Sequence, residues 1–86
     1  MCLRVEVIGK VQGVGYRNFA RRQALQLAVN GHALNLPDGR VEVLACGDAR
    51  ALDAFLGKLA EGPAWSSVVA LNSGPAPCVG PGFDTG

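Results

Sequence analysis

The chain has little of what usually announces a function. It holds a single histidine and three widely spaced cysteines, Cys2, Cys46 and Cys78, with no Cys-x-x-Cys pair among them. Donors so scattered lack metal-ligand spacing, so no metal site is expected. Charge of one sign is lacking too. Eight basic against seven acidic residues give a net charge of +1, which leaves no electrostatic footprint for nucleic acid or an anionic membrane. No apolar run approaches the ~18 residues of a membrane span. Arg4 and Glu6 interrupt the N-terminal MCLRVEV, so it has no apolar signal region. The cysteines therefore read as thiols of a reducing cytoplasm, Cys46 as a small core residue, with a single bridge among the three left open.

What is present suffices for one domain over residues 1–86 and not for two. Apolar residues make up 49% of the chain, the balance of an ordinary globular domain. Residues 3–8 alternate, with Leu3, Val5 and Val7 on one face and Arg4 and Glu6 on the other, which predicts a half-buried strand. A glycine loop follows, from Gly9 to Gly15. From Tyr16 or Arg17 to about Ala28 the period becomes helical, with Ala20, Ala24, Leu27 and Ala28 as the stripe and Asn30-Gly31 as the stop. Runs 31–36 and 40–46 flank a Pro-Asp-Gly turn. Asp48 is placed to cap a second helix, whose stripe is Leu52, Phe55, Leu56 and Leu59 and which Gly62-Pro63 ends. Residues 66–72 read as a fourth strand, with Trp65 packed at its start. The tail is a Gly- and Pro-rich loop, with a short edge strand at Phe83 left open.

The order β-α-β-β-α-β predicts an α+β fold of the ferredoxin-like split βαβ plan: a four-stranded antiparallel sheet with two helices on one face. The first crossover makes strands 1 and 2 parallel. Their C-terminal ends then share one edge of the sheet, which brings Asn35 towards the glycine loop.

Strand, glycine loop and helix start together present several backbone N–H groups to one point, the arrangement that binds anions. Gly13 and Gly15 permit positive φ. Arg17, in the first helical turn, adds a guanidinium suited to phosphate. The loop lacks the Gly-Lys-Ser/Thr ending of a Walker loop, and Asn18 stands where the dinucleotide fingerprint needs its third glycine. A nucleotide cofactor is disfavoured, and no cofactor is expected. The loop suits one small phosphoryl group without metal.

These residues carry a resemblance. IGKVQGVGYR, residues 8–17, resembles the first signature of the acylphosphatase family, and GHALNLPDGRVEVLACG, residues 31–47, its second; similarity continues through FLGKLAEGP, residues 55–63. The resemblance implies a small enzyme that hydrolyses acyl phosphates to carboxylate and phosphate. It assigns phosphoryl binding to Arg17 and the orientation of the attacking water to Asn35, with the backbone of Gln12, Gly13, Val14, Gly15 and Tyr16 completing the phosphate site. The expected partners are a small acyl phosphate and the phosphate product, for a cytoplasmic monomer that binds neither nucleic acid nor membrane.

Departures from the family pattern are Tyr16 for the usual Phe, His32 for an aromatic, Leu34 for a polar or basic residue, and Ala28 where Gly is frequent near the helix end. None removes a catalytic group. Strand alternation puts His32 on the face opposite Asn35, which argues against a general base there. RNA binding is disfavoured because the strand runs CLRVEVIG and RVEVLACG carry no aromatic for base stacking. The rival reading is a non-catalytic or carbamoyl-phosphate-directed binding or regulatory module, like the one at the start of hydrogenase-maturation carbamoyltransferases. A chain without a further domain favours the free-standing enzyme.

Overall fold

The computed structural model describes residues 1–77 and 80–85. The chain runs β1 (Cys2–Lys10), α1 (Tyr16–Gln26), β2 (Asn30–Asn35), β3 (Val41–Cys46), α2 (Ala49–Glu61), β4 (Ser67–Pro75) and β5 (Phe83–Asp84). Both helices and the first four strands fall where periodicity predicts them, within a few residues. The sheet differs from expectation in having five strands, in the order β4-β1-β3-β2-β5. The first four pair antiparallel, whereas β5 lies parallel to β2, with Gly31 opposite Phe83 and His32 opposite Asp84. Two residues cannot show a period, which is why the tail reads as a loop. What holds β5 is tertiary: Phe83 is buried, and its ring stands edge-on to Phe55 with centroids 6.0 Å apart. Gly31 N–H also donates to the Gly82 carbonyl at 2.9 Å.

The core lies between the helices and the face of the sheet that carries Val5, Val7, Ala33, Val41 and Val43. Ala20 and Ala24, one turn apart on α1 and fully buried, let that helix approach the strands closely. The α2 stripe of Leu52, Phe55 and Leu59 fills the remaining volume. Truncating a buried phenylalanine such as Phe55 to Ala costs about 3–5 kcal/mol.

Three expectations are corrected. Cys2 and Cys46, directly opposite each other in the β1–β3 register, form a disulfide and are not thiols. Closing a loop over a separation of 44 residues removes unfolded-chain entropy worth up to ~4 kcal/mol. Cys78 lies outside the described residues. Trp65 is 82% exposed and packs against nothing substantial at the head of β4. Helix α1 ends earlier than Asn30-Gly31: Ala28 itself turns left-handed, at φ 56°, and Val29 N–H returns to the Ala24 carbonyl at 2.8 Å. That is the usual glycine cap geometry, built on an alanine.

Candidate active site

The loop between β1 and α1 is pinned at its entrance by Val11, which is buried in the core. Gly13 and Gly15 both adopt left-handed φ, 73° and 76°, and among the described residues nothing beyond their chain neighbours comes within 4 Å of where their Cβ atoms would be. Backbone conformation, not crowding, therefore selects glycine at both positions. Gly15 is the N-cap of α1. It offers no side-chain cap, and the first turn contains no acidic residue. The N–H groups that begin a helix have no partners within it. In the preceding loop, no backbone carbonyl among the described residues accepts from Gly13, Val14 or Gly15 with good geometry. A set of unclaimed donors thus surrounds the helix start, where the helix dipole adds partial positive charge.

Arg17 stands in that first turn, half-buried and with no carboxylate partner among the described residues. Its Nη1 donates to the carbonyl of Thr85 at 2.7 Å, which anchors one edge of the guanidinium and leaves the other N–H groups for a ligand. Asn35, the last residue of β2, is exposed, and its carboxamide bonds to no protein group among the described residues. Gly13, Gly15, Arg17 and Asn35 all line one cavity of about 140 Å³, together with Val11, Asn18 and Thr85. The parallel course of β1 and β2 brings the loop and the asparagine together, as the topology predicts.

The other expected site residues have different positions. Tyr16 lines the cavity, but it is buried and its ring packs in the core. The phenol donates to the Leu59 carbonyl at 2.6 Å, satisfying one of the carbonyls that the end of α2 leaves open. Burial pushes that phenol well above the ordinary tyrosine range, so it stays protonated. Val14 packs against the core instead of lining the cavity. The Gln12 side chain also points elsewhere: its Nε2 donates to the carbonyls of Leu36, at 2.7 Å, and Arg40, at 2.9 Å.

His32 is on the opposite face of β2, with Nε2 3.7 Å from a Glu42 carboxylate oxygen and outside the cavity. Thr85 and Asn18 are cavity residues that sequence reasoning misses. Asn18 could have been found from its place in the first turn beside Arg17. Nothing local marks Thr85, because its position depends on the parallel pairing of β5. Among the described residues no group of three or more His, Cys, Asp or Glu side chains could hold a metal, and no helix is long and apolar enough to cross a membrane.

A family model described as "Acylphosphatase" matches residues 3–81. An acylphosphatase of Thermus thermophilus is 55% identical over 65 residues, covering 76% of this chain and 74% of the relative. One from Aeromonas hydrophila is 48% identical over 82 residues, covering 94% and 91%. The solved structure of an acylphosphatase from Coxiella burnetii superposes with a TM-score of 0.92 at 34% identity, covering 98% of this chain and 90% of that one.

Proposed function

The chain belongs to the acylphosphatase family and is an acyl phosphate hydrolase, and on that premise we propose that the cavity at the start of α1 is where the reaction takes place. In this reading the amides of residues 12–16 and the guanidinium of Arg17 hold the phosphoryl group, and Asn35 orients the water that attacks it. Support comes from one observation: Gly13, Gly15, Arg17 and Asn35, drawn from two elements far apart in sequence, line the same small cavity.

The chemistry needs little more. Water oxygen forms a bond to phosphorus as the bond to the acyl oxygen breaks. The electron pair of that bond leaves on a carboxylate, whose conjugate acid has a pKa of about 4–5, so no general acid is required. The proton of the water passes to the phosphate formed or to solvent. The transition state is loose and spreads charge over the phosphoryl oxygens. Preorganised amides and a guanidinium stabilise that charge without reorganising. An amide is no base at neutral pH, so the contribution of Asn35 is geometric. Its carbonyl accepts from the water while its NH₂ can donate to a phosphoryl oxygen.

Hydrolysis of benzoyl phosphate without added metal, compared between the wild type and Asn35→Ala, tests the reading. Turnover should fall about 10²–10³-fold, with inhibition by inorganic phosphate largely kept. Equal loss of phosphate affinity would make Asn35 a ligand-holding residue, and unchanged turnover would remove it from the mechanism.

We further propose that the protein is a cytoplasmic monomer. The Cys2–Cys46 bridge weighs on the other side, since disulfides persist chiefly outside reducing compartments. Thiol alkylation in rapidly quenched cells, read by mass, distinguishes them: a pair found oxidised overturns the cytoplasmic assignment. Light scattering of the purified protein checks the monomer.

A further inference from the structure

We propose that Gln12 is a positioning residue: through its side chain it fixes the water-orienting Asn35 against the phosphate loop. The inference deepens the reading above and rests on it.

The turn that follows Asn35 is closed by bonds of its own. Leu36 N–H donates to the Arg40 carbonyl at 2.8 Å, and Gly39 N–H donates to the Leu36 carbonyl at 3.1 Å. Asp38 accepts from the Arg40 backbone N–H at 3.1 Å and from its Nε at 2.7 Å. The Arg40 guanidinium reaches on to Glu6 of β1 at 2.6 Å. The hydrogen bonds and charge of Arg40 hold the Asp38 carboxyl below the usual range, so this brace stays charged at neutral pH. The turn is thus closed by its own bonds and tied to β1.

Against this closed turn, the two bonds from Gln12 Nε2 to Leu36 and Arg40 are additional. They take the second lone pair of two carbonyls that already accept from the backbone. The turn's own bonds suffice to close it without Gln12. What the bonds do instead is span 24 and 28 residues of sequence and join two walls of one cavity. Gln12 lies between Val11 and Gly13, both of which line that cavity, and grips the residue directly after Asn35, which lines it from the other side.

The sheet and the Arg40–Glu6 pair set the walls only at a distance; among the described residues no other side-chain hydrogen bond joins the loop of residues 11–15 to the turn after Asn35. Asn35 has no side-chain bond of its own among the described residues, and the loop carries two left-handed glycines. The link is therefore the most direct one between the phosphate loop and the residue that follows the carboxamide. A misplacement of about 1 Å at a reacting centre can cost 10²-fold in rate.

The experiment uses the whole chain with Gln12→Met, which keeps the length but removes both donors, and Gln12→Glu. With benzoyl phosphate, Gln12→Met should lower kcat by about 10-fold to 100-fold. The inhibition constant of inorganic phosphate should change less than about threefold and the melting temperature by a few degrees at most. The same substitution made in Asn35→Ala should have almost no further effect on kcat, because there is no longer a carboxamide to place. Gln12→Glu should be poorer than Gln12→Met at neutral pH, where a carboxylate repels the two carbonyls. It should recover relative to Gln12→Met as acidic pH restores one donor. A kcat for Gln12→Met within about twofold of wild type overturns the proposal, as does an undiminished loss in the Asn35→Ala background. If Asn35→Ala itself keeps its turnover, the reading of the site fails first. If Asn35→Ala is impaired and Gln12→Met is not, only this inference fails.

Discussion

Helix α2 begins with Asp48, whose backbone is extended and whose carboxylate accepts from the N–H of Ala51 at 2.8 Å. Helix α1 begins with Gly15, which is left-handed, has no side chain to offer, and is followed two residues later by an arginine. By the rules of helix stability the first start is sound and the second is poor: an acid at the N-cap is worth about 1 kcal/mol, and a cation near the positive end of the dipole is unfavourable. The defects of α1 make sense together when an anion is supplied from outside. Open amides, positive potential and a guanidinium are then complementary to it, and stability is given up where binding is gained.

Four substitutions test this contrast. Arg17→Ala leaves the first turn of α1 without its cation, and kcat/KM for benzoyl phosphate should drop by about 10³-fold or more, with little change in melting temperature because relief at the helix start offsets the lost bond to Thr85; a variant that keeps most of its activity would remove Arg17 from the mechanism. Asn18→Asp gives α1 the acidic first turn it lacks. The helix should gain about 0.3–1 kcal/mol. A unit charge at the cavity wall should meanwhile weaken phosphate inhibition by about 3-fold to 100-fold. Tighter phosphate binding in that variant would contradict the electrostatic argument. Asp48→Ala makes α2 as open as α1 and should lower stability by about 1 kcal/mol, or roughly 4–8 °C in Tm for a domain of this size, with kcat unchanged. Ala28→Gly acts at the other end of α1. It relieves a left-handed alanine at about 1–2 kcal/mol, offset by up to about 1 kcal/mol of unfolded-state entropy, so thermal unfolding should rise by a few degrees without any change in activity.

What could be read from the chain, and what could not, divides along the same physical line. The strand, loop and helix from Leu3 to Ala24 declare themselves because their signals are local: a period of two, then glycines, then a period near 3.6. Asp48 as a cap is local too. Asn35 near Arg17 is a long-range contact, yet it follows from the right-handed crossover alone. The elements that were missed depend on partners that sequence does not name. The Cys2–Cys46 bridge requires the β1–β3 register, in which those two residues happen to face each other. β5 requires a parallel neighbour and a pocket beside Phe55 for Phe83. The left-handed Ala28 defies its residue type because the return bond of Val29 to Ala24 imposes the conformation. Trp65 reads as packed at the start of β4, but it is 82% exposed, and burial there would need a neighbour that local sequence does not name. Gln12 belongs to the signature motif, so its backbone was assigned to the phosphate; where its carboxamide goes depends on a turn folded much later in the chain.

The phenol of Tyr16 has a mechanical consequence. Its ring is a keystone of the interior while its oxygen seals the last turn of the other helix. The first residue of α1 therefore cannot rock without exposing a carbonyl at the far end of α2. Any breathing of the anion cradle is confined to the short glycine segment ahead of it. Amide hydrogens in the two helices should then exchange with solvent through a shared opening event, not as independent fraying ends.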